Sequence, residues 1–250
     1  MAAPERRFAG EAPLARLLSA MDATWPAAET QIVAGWVLRR GAGGGQRVSA
    51  ASAHCPGEVP EIAAAVSGLA AFGQPPLFRV GGDERALDAA LDRAGFLRND
   101  PVLLYKAAIA ELDDGADETA RLIRVTAPVR IVEEIWDAGG IGPGRRAVMA
   151  RVCGPKATLL ARIGDRPAGV AFVAVDEDVA MIHAIEVVPA ARRQGAGARL
   201  LRGAAAWARE AGASTLALAV TEANRPATAL YDRLGMAVLG RYHYRIAGGA

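Results

Sequence analysis

Ile185-Glu186-Val187-Val188-Pro189-Ala190-Ala191-Arg192-Arg193-Gln194-Gly195-Ala196-Gly197 joins an apolar run to a segment that carries two arginines and two glycines. An apolar strand ends at Pro189, the chain turns, and a helix begins near Gly197. Backbone N–H groups at a helix N-terminus are unpaired and carry the positive end of the helix dipole, so they suit an anion. Glycine at 195 and 197 lets that backbone approach phosphate oxygens with no Cβ in between. Arg192 and Arg193 add guanidinium groups able to form charge-assisted bonds.

Working outward, Leu200, Leu201, Ala204, Trp207, Ala208 and Ala211 form an apolar face at helical spacing, and Gly212 stands where a C-terminal cap belongs. The loop is therefore expected at the head of an anchored helix, 198–211. Upstream, strands are expected over 158–163, 168–175 and 180–188. Gly164-Asp165-Arg166-Pro167 and Asp176-Glu177-Asp178 supply the turns of antiparallel hairpins. A strand over 122–125 and helices over 129–136 and 145–152 precede them. A strand over 215–220, a helix over 226–234 and strands over 237–239 and 241–246 follow. The order βααβββαβαβ describes an α+β plan around a mixed sheet.

Other readings of the loop are possible. Gly195 and Gly197 match the start of a dinucleotide-binding fingerprint, but Leu200 stands at the third glycine. A plain β-to-α turn also fits glycine alone. Arg192-x-x-Gly195-x-Gly197 after Val187-Val188-Pro189 resembles the acyl-CoA pyrophosphate loop of the GNAT acetyltransferase superfamily. Asn224, Ala227, Tyr231 and Gly235-Met236 resemble that family's Asn-x-x-Ala-x-x-x-Tyr-x-x-x-Gly-Phe segment, with Met236 replacing the usual Phe.

The resemblance implies an acetyl-CoA-dependent N-acetyltransferase, with acetyl-CoA as cosubstrate and no metal. Cofactor contacts are implied for Val187, Val188, Arg192, Arg193, Gln194, Gly195, Ala196, Gly197, Ala198, Asn224, Ala227 and Tyr231. An amine would attack the thioester directly, with a backbone N–H near Val187 or Val188 stabilising the oxyanion. Tyr231 would protonate the departing thiolate, a role suited to a phenol that is neutral at pH 7. Asn224 fits a helix cap equally well. Glu186 and His183 are the candidate bases, and strand alternation sets them on opposite faces unless a bulge changes the phase. His183 on an apolar strand also reads as a core histidine.

The first half reads as an α/β unit. Its expected elements are a helix over 14–21, strands over 35–39 and 47–51 joined by the run Gly41-Ala42-Gly43-Gly44-Gly45, and a helix over 59–72. A strand over 76–80, a helix over 83–94 and a strand over 102–108 follow. The glycine run lacks the Lys-Ser/Thr of a phosphate loop and reads as a hairpin turn. Gly35-Trp36-Val37-Leu38-Arg39, Pro75-Pro76-Leu77-Phe78-Arg79-Val80, Gly95-Phe96 and the closing Tyr242-His243-Tyr244-Arg245 resemble the extra domain of two-part bacterial GNAT proteins. The resemblance implies an α/β (α+β) chain of tandem GNAT-like domains, each a mixed, mainly antiparallel sheet flanked by helices. A polar, acidic stretch, Glu111-Leu112-Asp113-Asp114-Gly115-Ala116-Asp117-Glu118, divides them into a degenerate unit, 1–115, and a catalytic unit, 116–250.

Composition agrees. The 250 residues are 52% hydrophobic and 22% charged, which suits a packed core. A formal net charge of +2 gives no case for nucleic-acid or membrane partners. The N-terminus lacks the apolar stretch of a signal peptide, so a cytoplasmic protein with Cys55 and Cys153 as free thiols is expected. His54 beside Cys55 has no partners at metal-ligand spacing and reads as part of a partly buried loop. The expected partner is a primary amine of a small molecule or peptide, and the protein a monomer or homodimer. The alternatives are a non-catalytic acyl-CoA-binding regulator and a dinucleotide-dependent oxidoreductase.

Overall fold

The computed structural model describes residues 13–112, 122–125 and 129–248. Residues 113–118 of the acidic stretch lie outside them, while Glu111 and Leu112 close a short helix.

The first half opens with helix α1 (Pro13–Thr24) and a hairpin of β1 (Glu29–Val33) and β2 (Trp36–Arg40). The turn is Ala34-Gly35, at φ 47 and 81, and two left-handed central residues match the twist of a tight hairpin. This corrects the expected pairing of 35–39 with 47–51. The second segment instead makes a 3-10 turn at Gln46–Val48 and the two-residue β3 (Ser52–Ala53). The glycine run is a docking surface. A Cβ on Gly44 would come 2.5 Å from Val148, and one on Gly144 would come 2.2 Å from the Gly43 carbonyl. Both contacts involve the helix Pro143–Arg151 of the second half, so glycine is what permits the close approach.

Helix α2 (Ile62–Ala71), β4 (Leu77–Gly81), α3 (Arg85–Arg93), β5 (Phe96–Ala108) and the single turn α4 (Ile109–Leu112) complete the first half. The second runs β6 (Leu122–Val125), α5 (Arg130–Ala138), α6 (Pro143–Arg151), β7 (Lys156–Ile163), β8 (Arg166–Asp176) and β9 (Val179–Val187). It then continues through α7 (Ala196–Glu210), β10 (Thr215–Thr221), α8 (Arg225–Arg233) and β11 (Ala237–Ala247). The two strands expected over 237–246 are one, because a register shift between Val238 and Gly240 lets β11 bend without breaking.

Eight strands form one sheet in the order β4-β11-β5-β10-β9-β8-β7-β6. Two long strands stitch the halves together. The end of β5, Val102–Ala108, pairs with β10, while its start pairs with the far end of β11. The last part of β11 also pairs with β4. A parallel bridge from Ala51 to Phe78 ties the small β1-β2-β3 sheet to the same edge.

One face of the sheet is packed by α7 and α8, through Leu200, Leu201, Ala204 and Tyr231 against Leu159, Ala171, Ile182 and Leu216. The opposite face carries α5 and α6, with Trp136 and Met149 against Val170 and Phe172, and α1, with Leu17 and Met21 against Val179 and Met181. Asp22 of α1 holds Arg39 at 2.6 Å and Arg79 at 2.8 Å, both arginines nearly buried. Those two guanidiniums outweigh the cost of burial and hold the carboxyl down at about 2. Cys55 and Cys153 are free and exposed, which corrects the partly buried loop expected at Cys55. Among the described residues no helix is long and apolar enough to cross a membrane.

Candidate active site

The site begins where β9 and β10 part. They run parallel, in register only from Thr215↔Val179 to Ala217↔Met181. Beyond Met181 the remainder of β9 stays paired with β8, while β10 follows β5. The result is a V-shaped opening whose β9 side presents unpaired main-chain groups, the kind of edge that accepts an extended ligand.

The register shows which groups face this opening. Val188 donates its N–H to the Ala168 carbonyl at 3.0 Å, so residues 188 and 168 form a hydrogen-bonded pair. The neighbouring pair, Val187↔Gly169, is then a non-hydrogen-bonded one, with the Val187 N–H and C=O directed away from β8. The Arg192 Nε–H donates to that Val187 carbonyl at 3.3 Å. Of the two candidate amides, Val187 is free to act on a ligand, and Val188 is committed to the sheet.

A bulge sits in the middle of β9. The register slips between Val170↔Glu186 and Phe172↔His183, and Ala184 stands at φ 50. The extra residue reverses the strand's alternation, so His183 and Glu186 share a face, each opposite one of two same-side residues, Phe172 and Val170. The expectation of opposite faces is corrected accordingly.

The two side chains have different surroundings. His183 is 3% exposed, with its ring centroid 5.0 Å from that of Trp25. Its Nδ1 lies 3.2 Å from Nη1 of Arg47, which can only donate, so the imidazole proton sits on Nε2. Nε2 then donates to Thr24 Oγ1 at 2.9 Å, which donates to the Ala20 carbonyl at 2.7 Å. Burial first, and then Arg47, hold the His183 pKa well below its ordinary value. Both ring nitrogens are engaged, so His183 is a buried, neutral bracket between β9, α1 and Arg47. Glu186 lies against Gly139 after α5, where a Cβ would meet its carboxyl at 2.5 Å, and pairs with Arg192 at 3.5 Å.

The loop after β9 takes a 3-10 turn at Pro189–Ala191, then passes Arg193 at φ 64 and Gly195 at φ 85 into α7. Gly195 is the N-cap and has no side chain to bond the helix start. The first intrahelical bond shown at this end runs from Arg199 N–H to the Gly195 carbonyl, so the N–H groups of Ala196, Gly197 and Ala198 point outward without helical acceptors. Gly197 faces α8, where a Cβ would come 2.9 Å from Leu230 Cδ2. Arg192 and Arg193 are exposed beside these donors, and the Gln194 amide braces the loop by donating to the Ala190 carbonyl at 2.8 Å.

Helix α8 brings in the second cluster. Asn224 is its N-cap, with Oδ1 accepting from the Ala227 N–H at 3.3 Å. Tyr231, 6% exposed, packs its ring 5.4 Å from that of Tyr105. Tyr105 donates its hydroxyl to Asp232 at 2.9 Å, whereas the Tyr231 hydroxyl makes no hydrogen bond among the described residues. Burial, reinforced by Tyr105, pushes the Tyr231 phenol up to about 12.

On the opposite face of the opening lies a cavity of about 490 Å³. Ala184 and Thr221 border it from β9 and β10, and Trp25, Arg47, Arg145 and Tyr244 form part of its wall. Local sequence pattern carried no signal for this constellation, because its six residues come from six separate segments of the chain. Among the described residues no cluster of His, Cys, Asp and Glu is arranged to hold a metal ion.

Residues 134–236 match a family model described as "Acetyltransferase (GNAT) family". Streptothricin acetyltransferase from Streptomyces lavendulae is 49% identical over 59 residues, which is 24% of this chain and 31% of that protein, so the match spans about a third of its length. The uncharacterized N-acetyltransferase YobR from Bacillus subtilis (strain 168) is 24% identical over 237 residues, covering 90% of this chain and 94% of that one. A GCN5-related N-acetyltransferase from Kribbella flavida superposes with a TM-score of 0.67 at 18% identity, over 96% of this chain and 98% of that chain. At that identity the superposition shows a shared fold.

Proposed function

We propose that this chain is an acetyl-CoA-dependent N-acetyltransferase acting on a primary amine of a small molecule or peptide, a reading supported by the match of residues 134–236 to the GNAT acetyltransferase family model. The observation that carries the reading is the opening between β9 and β10, with free helix-terminal donors at the start of α7 and a protonated tyrosine on α8, the helix that the start of α7 faces.

The residues present fit acetyl-CoA. The glycine cap leaves three N–H groups open to an anion, and Arg192 and Arg193 supply charge for a pyrophosphate. Glu186 holds Arg192 beside the loop before any phosphate arrives. The cosubstrate supplies an activated acetyl group whose transfer to an amine releases a thiolate.

Val187 directs an N–H into the opening, where it can stabilise negative charge developing on a carbonyl oxygen. Tyr231 keeps its proton throughout the neutral range and can hand it to the departing sulfur. Asn224 and Ala227 start the helix that fixes the phenol. With both nitrogens of His183 occupied, Glu186 is the base we assign, receiving the amine's proton through water.

The test is release of free coenzyme A thiol from acetyl-CoA across a broad panel of primary amines. Amine-dependent release that falls in Tyr231→Phe supports the enzyme. Tight acetyl-CoA binding without turnover on any amine would make the chain a non-catalytic acyl-CoA-binding regulator.

A further inference from the structure

The cavity on the far face of the opening has a charge pattern of its own. Arg47 enters it from the segment after the glycine run, and Arg145 from the first turn of α6. The Arg47 Nη1 is spent on the His183 Nδ1, and its Nε is buried with no hydrogen-bond partner. The Arg145 guanidinium lies against the Gly45 backbone, its Nε 3.5 Å from where a Cβ on Gly45 would be. Among the described residues neither arginine has a carboxylate partner. Arg39 and Arg79, by contrast, share Asp22. The one acid on the cavity wall, Asp100, is exposed and sits on the β5 rim at φ 42.

The planar fork of a guanidinium matches the oxygens of a carboxylate or phosphate, and two such groups at one cavity with no carboxylate partner among the described residues favour an anion. His183 fixes the ring of donors in place, because its own proton is committed to Thr24. Trp25 and Tyr244 line the space between the two arginines and the strand opening with aromatic surface.

We propose that this cavity is the acceptor site and that Arg47 and Arg145 select an amine that also carries an oxyanion, a carboxylate or a phosphate ester. The proposal rests on the acetyltransferase reading and adds the substrate class to it. It also gives the first half of the chain a task, since Arg47 and Trp25 reach the site from there. The oxyanion is held on the arginines, and the ammonium end points to Ala184 and Thr221, where the strands part.

The test compares matched amines with and without the oxyanion. Free α-amino acids are set against their α-carboxamides, and O-phosphoethanolamine against ethanolamine. For at least one pair the oxyanion-bearing amine should have a kcat/KM about 10- to 100-fold higher, the range expected of hydrogen bonds to a charged group. Arg47→Gln with Arg145→Gln should bring that ratio to near one by raising KM, with affinity for acetyl-CoA unchanged. A binding arm needs no turnover: N-acetyl amino acids, titrated calorimetrically against their amides, should bind wild type and lose affinity in the double variant. Which pair discriminates separates a carboxylate from a phosphate acceptor. Equal rates within both pairs, or a ratio that survives in the double variant, overturns the proposal. If acetyl-CoA still binds in that case, the acetyltransferase reading stands without it.

Discussion

Arg47 and His183, 136 positions apart in the chain, meet at 3.2 Å, guanidinium Nη1 to imidazole Nδ1. This bond joins the first half of the chain to the bulged strand β9 and occupies the Nδ1 of His183.

The burial of His183, with Arg47 beside it, predicts a pH dependence of stability. The folded His183 titrates well below its ordinary 6.5, so between pH 6.5 and the folded pKa the unfolded chain binds a proton that the folded one refuses. Its contribution is full above about pH 6.5 and falls by about 1.4 kcal/mol per pH unit below it. Thermal unfolding from pH 7.5 to 5 should show Tm dropping below 6.5, and the drop should be shallower in His183→Gln. The pH profile of kcat should keep its acidic limb in that variant. Disappearance of the limb would return His183 to the role of base.

Tyr231→Phe removes a hydroxyl that makes no hydrogen bond among the described residues and leaves its ring packed against Tyr105. Stability should change by less than about 1 kcal/mol. If the phenol delivers the proton, kcat should fall about 100-fold or more with acetyl-CoA affinity nearly unchanged. A loss of affinity matching the loss of rate would instead make Tyr231 a packing residue.

Asp22→Asn should destabilise the fold without touching the reaction. It leaves Arg39 and Arg79, each 6% exposed, without their counter-charge. Breaking a fully buried pair costs about 3–5 kcal/mol, and the part-exposed Asp22 side chain lowers the expectation to about 2–3 kcal/mol. Because the Asp22 carboxyl titrates near 2, wild type should keep this contribution above its unfolded pKa near 4 and lose it as pH falls towards 2. Denaturant titration at pH 7 and pH 3 should show the gap between wild type and Asp22→Asn narrowing at the lower pH.

The second half of the fold was legible because its signals are local. The spacing of Leu200, Leu201, Ala204 and Ala208 fixed one face of α7, and Pro226 and Gly235 bracketed α8. The loop proposed to hold acyl-CoA lies on consecutive residues, so its pattern is local. What escaped depends on distant partners. Glu29–Val33 is exposed along nearly its whole length at a sheet edge, so β1 shows no alternation of buried apolar residues, and the turn at Ala34-Gly35 gave way to the more conspicuous glycine run. That run owes its glycines to α6, about 100 residues downstream. The pairing of β5 with both β10 and β11 is likewise set by tertiary contacts. The bulge at Ala184, which brings Glu186 onto the His183 face, carries no glycine to announce it. The oxyanion pocket had no sequence signature, since Arg47 and Arg145 look like ordinary surface arginines until the fold brings them together.

Calorimetric titration with acetyl-CoA of wild type, Arg192→Ala and Gly197→Val tests whether the β9–α7 loop holds the cosubstrate. Micromolar binding is expected in wild type. Arg192→Ala should weaken it about 10-fold by removing a charge-assisted bond to phosphate. Gly197→Val should weaken it at least as much, because a Cβ there meets Leu230 at 2.9 Å and disturbs the helix start. No heat with wild type, together with no thermal shift at millimolar acetyl-CoA, would contradict the account and leave the β9–α7 loop as a structural turn.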